Sequence, residues 1–158
     1  MRRSVLLAGV AAVVLSGCAQ EMSRSDRAVQ EQILRDRLTV WSRVLNNRDA
    51  DSLAAFYHQV PELTVAWPDG RRTRGWTEEE AAQREFLRGV ATMNVVVQDV
   101  GVQVLGSRAA LTTFRYSADL ILTSTEREIF TGLGTIFWTR PEGSGPWVIH
   151  AEHVSRNP

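Results

Sequence analysis

The apolar pattern of this chain changes period once, and that change restricts what it can fold into. Up to about Val90 the apolar residues recur every three or four positions; from about residue 94 they recur every second position. Leu34, Leu38, Trp41 and Leu45 mark one helical stripe, widened by Val29, Ile33 and Val44, with arginines and acids on the other face. Ser25 is the expected N-cap, and Asn46-Asn47 end the helix. Asp49 caps a second, short helix through Leu53, Phe56 and Tyr57, which Pro61 stops. Leu63 to Trp67 reads as a short strand closed by the turn Pro68-Asp69-Gly70. Thr77-Glu78-Glu79-Glu80 has the form of a capping box, predicting a third helix to about Val90 with Ala81, Ala82, Phe86 and Val90 inside.

The second half predicts strands at about 94–105, 108–122, 126–140 and 147–155, separated by Gly106-Ser107, Thr123-Ser124-Thr125 and the Pro- and Gly-rich segment 141–146. Four long strands at hairpin spacing make an antiparallel meander. Each helix has one apolar stripe to bury, so the three must cover one face of that sheet. The expected class is α+β: a curved antiparallel β-sheet wrapped around three N-terminal or inserted α-helices, in one domain without repeats.

The N-terminus has a different logic. Arg2 and Arg3 precede an apolar run from Val5 to Leu15, too short to span a bilayer as a helix, followed by Ser16-Gly17-Cys18. Leu15-Ser16-Gly17-Cys18 resembles a bacterial lipobox, which implies cleavage before a lipid-modified Cys18. The expected organisation is a signal peptide at 1–17, the lipidated cysteine and a tether at 18–25, and a folded domain at 26–158. The chain contains a single cysteine, which excludes an intramolecular disulfide and a Cys-rich zinc site. Its 18 basic residues, all arginine, balance 18 acidic ones and form no basic stripe, so nucleic acid is a poor partner.

The order helix, helix, short strand, helix, four strands resembles the cone-shaped nuclear-transport-factor-2-like superfamily, and within it the SnoaL-like family. The resemblance is carried by Asn46-Asn47-Arg48-Asp49-Ala50-Asp51-Ser52-Leu53, Val65-Ala66-Trp67-Pro68-Asp69-Gly70, Arg74-Gly75, and the closing Trp147-Val148-Ile149-His150-Ala151-Glu152-His153-Val154-Ser155. It covers roughly residues 26–156. It implies a cone-shaped sheet with a cavity between sheet and helices, in a superfamily that hosts isomerases, dehydratases and plain ligand binders, so the fold alone decides no function. The positions that serve steroid isomerisation in such proteins are Trp41, Trp67 and the stretch Gly132-Leu133-Gly134-Thr135-Ile136-Phe137 here, and none supplies the phenol or carboxyl groups that chemistry uses.

Strand alternation places Trp147, Ile149, Ala151, His153 and Ser155 on one face of the last strand, which by resemblance faces the cone interior. Ala110, Thr112, Phe114 and Tyr116 share a face of the second long strand. The expected ligand-binding lining is Trp41, Tyr57, Trp67, Phe86, Phe114, Tyr116 and His153, an aromatic set suited to an apolar or aromatic small molecule, and equally a set that can simply fill a core. His153 is the one expected catalytic group, an imidazole able to act as a base near neutral pH. No metal-ligand or phosphate-loop pattern is present, and no cofactor is expected. The first expectation is an envelope lipoprotein binding a small molecule, held through Cys18 and facing the periplasm from the outer membrane if the envelope has two membranes. The alternatives are a lyase, isomerase or hydrolase using His153, and a homodimeric interaction module whose outer sheet face, with Val148, Val154, Leu111 and Leu133, is covered by a second copy.

Overall fold

A computed structural model describes residues 22–157. The expected cleavage site and Cys18 lie outside the described residues. α1 runs Arg24–Asn46, α2 Ala50–Ala54 and α3 Trp76–Gly89; β1 is Thr64–Ala66, β2 Arg72–Arg74, β3 Val90–Val104, β4 Ala109–Leu122, β5 Arg127–Thr139 and β6 Val148–Arg156. α1 starts two residues earlier than the sequence suggests, because Ser23 rather than Ser25 accepts the Asp26 N–H at 3.1 Å. Leu34, Leu38 and Trp41 are buried, whereas Val29 and Ile33 are exposed and do not widen the stripe. Asp49 caps α2 through the Ser52 N–H at 3.0 Å, as expected.

The start of α3 is a correction. Thr77 is not its cap: the helix begins at Trp76 behind Gly75, whose φ of 75° only glycine adopts freely. Glu78 reaches back to the Arg74 N–H at 2.9 Å, and Glu79, Gln83 and Leu87 form the buried face while Ala81 is exposed.

The six strands form one curved, unclosed sheet in the order β2-β1-β6-β5-β4-β3. The meander β3 to β6 is antiparallel throughout, but β1 lies parallel to β6, so the whole sheet is mixed. The helices pack on its concave face over a core that includes Leu34, Leu38, Ile136, Trp138, Trp147 and Ile149. β3 is a long edge strand, and α1 and its C-terminal turn bond to its backbone. Arg27 and Arg48 donate to the Val104 and Val90 carbonyls at 2.7 and 2.9 Å, and Arg35 donates to that of Val100. Asn46 both accepts from the Val95 N–H at 2.7 Å and donates to its carbonyl at 2.9 Å.

β6 contains the feature that decides what enters the cavity. Trp138 pairs with Ile149 but Phe137 pairs with Ala151, leaving His150 as the extra residue of a β-bulge. Strict alternation holds on each side of the bulge and inverts across it. Trp147 and Ile149 point inward before it; Glu152 is buried after it, and His153 is exposed.

Candidate functional site

Between α1, α3 and the concave face of the sheet lies a cavity of about 150 Å³. Its walls come from residues far apart in sequence. Trp41 enters from α1, Tyr57 from the turn after α2, Trp67 from the end of β1, Phe86 from α3, and Phe114 and Tyr116 from β4. These six sequence-predicted residues therefore meet around one space. Two glycines on β5 make room for the last pair: a Cβ on Gly134 would overlap the Phe114 ring, and one on Gly132 would meet Tyr116 and the Ser155 carbonyl.

The seventh residue is not there. His153 lies on the exposed side of β6, opposite Thr135, so neither a ligand contact nor a catalytic role in the cavity fits it. Val154, expected on the outer face, lines the cavity instead. The bulge at His150 accounts for both corrections, since one extra residue reverses which side chains face inward.

What takes the place of His153 is Glu152, 7% exposed. Tyr57 Oη donates to Glu152 Oε2 at 2.7 Å. Glu79 lines the same cavity, 1% exposed: its Oε1 accepts from Gln83 at 2.8 Å, while its Oε2 accepts from Trp67 Nε1 at 3.2 Å and from the Thr73 hydroxyl. Neither carboxyl is in an ion pair among the described residues. Burial of a carboxylate without a cation penalises its charged form. It pushes Glu152 up to about 8, with the Tyr57 hydrogen bond opposing the rise and the charge of Glu79 adding to it. Burial also raises Glu79, against the opposing hydrogen bonds from Thr73, Gln83 and Trp67. The Tyr57 phenol is held well above its ordinary range by burial and then by the two carboxylates.

One donor is left over. The Trp41 indole N–H is buried and turned toward the Tyr57 hydroxyl, but it has no hydrogen-bond partner. A buried donor without an acceptor costs about 1–3 kcal/mol, so an acceptor oxygen brought by a guest would relieve it. The cavity thus combines aromatic walls, a free N–H donor and, in Glu152, a carboxyl group that exchanges its proton at about pH 8. Neither glutamate stands out in the sequence: Glu79 falls within the apparent capping box Thr77-Glu78-Glu79-Glu80, and unbroken alternation along β6 puts Glu152 on the face opposite Ile149 and His153. Among the described residues no cluster of three or more metal-ligating side chains occurs.

No protein-family model matches the chain, and no curated protein matches its sequence. Solved structures do. A candidate scytalone dehydratase from Novosphingobium aromaticivorans superposes with a TM-score of 0.73 at 12% identity, covering 83% of this chain and 86% of that one. A nuclear-transport-factor-2-like superfamily protein from Salmonella enterica serovar Typhimurium gives 0.74 at 17% identity, covering 83% and 93%. The association domain of C. elegans CaMKII gives 0.65 at 15% identity, covering 82% and 97%. The chain has the nuclear-transport-factor-2-like fold, the α+β cone that its sequence resembles.

Proposed function

We propose that the cavity binds a small, neutral, single-ring molecule bearing one acceptor oxygen, and that Glu152 moves a proton on it. The observation that carries this reading is the burial of Glu152, with no cation beside it, in the same cavity as the unpartnered Trp41 N–H. A cavity of about 150 Å³ has the size that holds one benzene-like ring, and is too small for a steroid. Below about pH 8 Glu152 is a neutral acid able to protonate a leaving hydroxyl; above it, a desolvated base able to take a proton next to a carbonyl. This is the chemistry of a lyase or isomerase, and the likeness to a candidate scytalone dehydratase supports that class. Glu79 holds no substrate in this scheme; its charge raises the proton affinity of Glu152.

Cyclohexanone in D₂O tests the proposal without knowledge of the natural substrate. The α C–H bond breaks, its proton passes to the Glu152 carboxylate, and the electron pair moves to the ketone oxygen facing Trp41 N–H; return of a deuteron labels the ring. Deuterium uptake above background, lost in Glu152→Gln and rising with pH through about 8, is the expected result. Uptake that survives Glu152→Gln would sink it.

The setting is a second part of the proposal. Lipidation of Cys18 would hold the domain at the cell envelope, on the motif Leu15-Ser16-Gly17-Cys18. Mass spectrometry of the mature N-terminus should show a diacylglyceryl-modified Cys18, and Cys18→Ser should release the protein from membranes. On the convex sheet face Leu133 and Ile129 are exposed beside half-buried Leu111 and Phe137, a surface that a second copy would cover. Sedimentation equilibrium of the soluble Cys18→Ser protein should give a dimer that Leu133→Arg dissociates.

A further inference from the structure

Outside the cavity, two histidines from distant parts of the chain converge. His58 follows Tyr57 in the turn after α2, and His150 is the extra residue of the β6 bulge. Their Nδ1 atoms stand 3.1 Å apart, and neither residue lines the cavity. The backbone holds them there: His58 N–H donates to the Ile149 carbonyl at 2.8 Å, and Ile149 N–H donates to the Phe56 carbonyl at 2.7 Å. These two bonds tie the segments together on either side of the pair. The Phe137 ring lies edge-on to His150, 6.2 Å between centroids, and limits its swing.

We propose that His58 and His150 form a two-histidine site for a divalent transition ion of the zinc or copper class, each coordinating through Nδ1. At the usual imidazole-to-metal distance of about 2.05 Å, two nitrogens 3.1 Å apart subtend about 100° at a shared ion. That angle falls between the cis angle of a square plane and the tetrahedral angle, the geometries these ions adopt. The spacing is therefore already that of a chelate, and the imidazoles need to turn only enough to aim both lone pairs at the ion. Without an ion, one ring donates its Nδ1–H to the other. Coordination moves that proton to Nε2 of the same ring, so both Nδ1 lone pairs face the metal and the neutral pair releases no proton. The carboxylate of Glu62 is close enough to act on His58, and its negative charge favours a bound cation. No third protein ligand of the usual types completes the site among the described residues, so water fills the remaining positions.

Titrating the full-length protein with zinc chloride, read by long-range ¹H–¹⁵N NMR of the imidazoles, tests this directly. Nδ1 of both His58 and His150 should shift as one equivalent binds, and the His153 ring should stay unchanged. In calorimetry, His58→Gln or His150→Gln should weaken zinc binding at least tenfold, whereas His153→Gln and Cys18→Ser should leave it within twofold. Wild-type NMR in which neither Nδ1 responds would overturn the site even if the variants fail to fold, and so would binding that both glutamine variants retain or that Cys18→Ser abolishes.

Discussion

The Tyr57 hydroxyl donates to Glu152 Oε2 at 2.7 Å, joining residues 95 positions apart inside the cavity. This bond ties the turn after α2 to the last strand and lowers the proton affinity of a buried carboxyl that titrates at about 8. It also opposes, without cancelling, the upward push from burial.

The raised affinity makes stability depend on pH. An unfolded glutamate titrates near about 4.3, whereas Glu152 in the fold does so at about 8. Between those values the native state holds a proton that the unfolded chain has lost. The Glu152 contribution to stability is therefore complete below about pH 4.3 and is lost as pH rises through about 8, at up to about 1.4 kcal/mol per pH unit. Urea unfolding at pH 5, 6.5, 8 and 9 should show the wild type weakening relative to Glu152→Gln. Parallel curves for the two proteins would contradict this.

Removing the phenol oxygen separates the two influences on Glu152. Tyr57→Phe deletes the hydrogen bond that favours its carboxylate, so the Glu152 midpoint should move further up. The loss of the bond should cost about 1 kcal/mol of stability. Infrared detection of the protonated carboxyl band as a function of pH, with Glu152→Gln identifying the band, measures the shift.

Trp41→Phe should uncouple binding from stability. The free protein no longer buries an unpartnered donor, so the penalty for the smaller ring is partly offset and the net change should stay within about 1 kcal/mol. Binding of cyclohexanone, by contrast, should weaken by about tenfold, the equivalent of about 1.4 kcal/mol for one hydrogen bond. Ligand-observed NMR competition together with thermal melting would read both quantities.

Gly134→Ala should cost about 1–3 kcal/mol, because the added methyl overlaps the Phe114 ring. Shortening the ring side chain in Gly134→Ala/Phe114→Leu should recover part of that loss, so that the double variant is less damaged than the two single losses combined. Additive losses in a double-mutant cycle would show that the ring and the glycine do not share one space.

Much of the fold was legible because long elements repeat their signal. Four strands of the meander lie within a few residues of their expected positions, apart from a β3 that begins directly behind α3. The aromatic lining was readable for the same reason, since Phe114 and Tyr116 keep a period of two on a strand with no bulge between them. The two carboxyls were not. Glu79 and Gln83 stand on the buried face of α3, where hydropathy assigns polar residues to solvent, and their burial is explained by their mutual hydrogen bond and by the bonds Glu79 accepts from Trp67 and Thr73, which no local pattern reveals. Glu152 depends on one unpaired residue, His150, and a bulge leaves no mark in an apolar pattern. The parallel β1–β6 contact is likewise hidden, because three-residue strands carry too little pattern to show a direction.

The side-chain bonds from α1 and Arg48 to β3 bear on how copies of this protein can meet. A fifteen-residue edge strand is the natural place for a foreign strand to add itself and extend the sheet. Arg27, Arg35, Asn46 and Arg48 already occupy backbone groups there, and β2, at the opposite edge, offers only three residues. Strand addition at either margin is thereby discouraged, which leaves the broad convex face for the closed dimer proposed above.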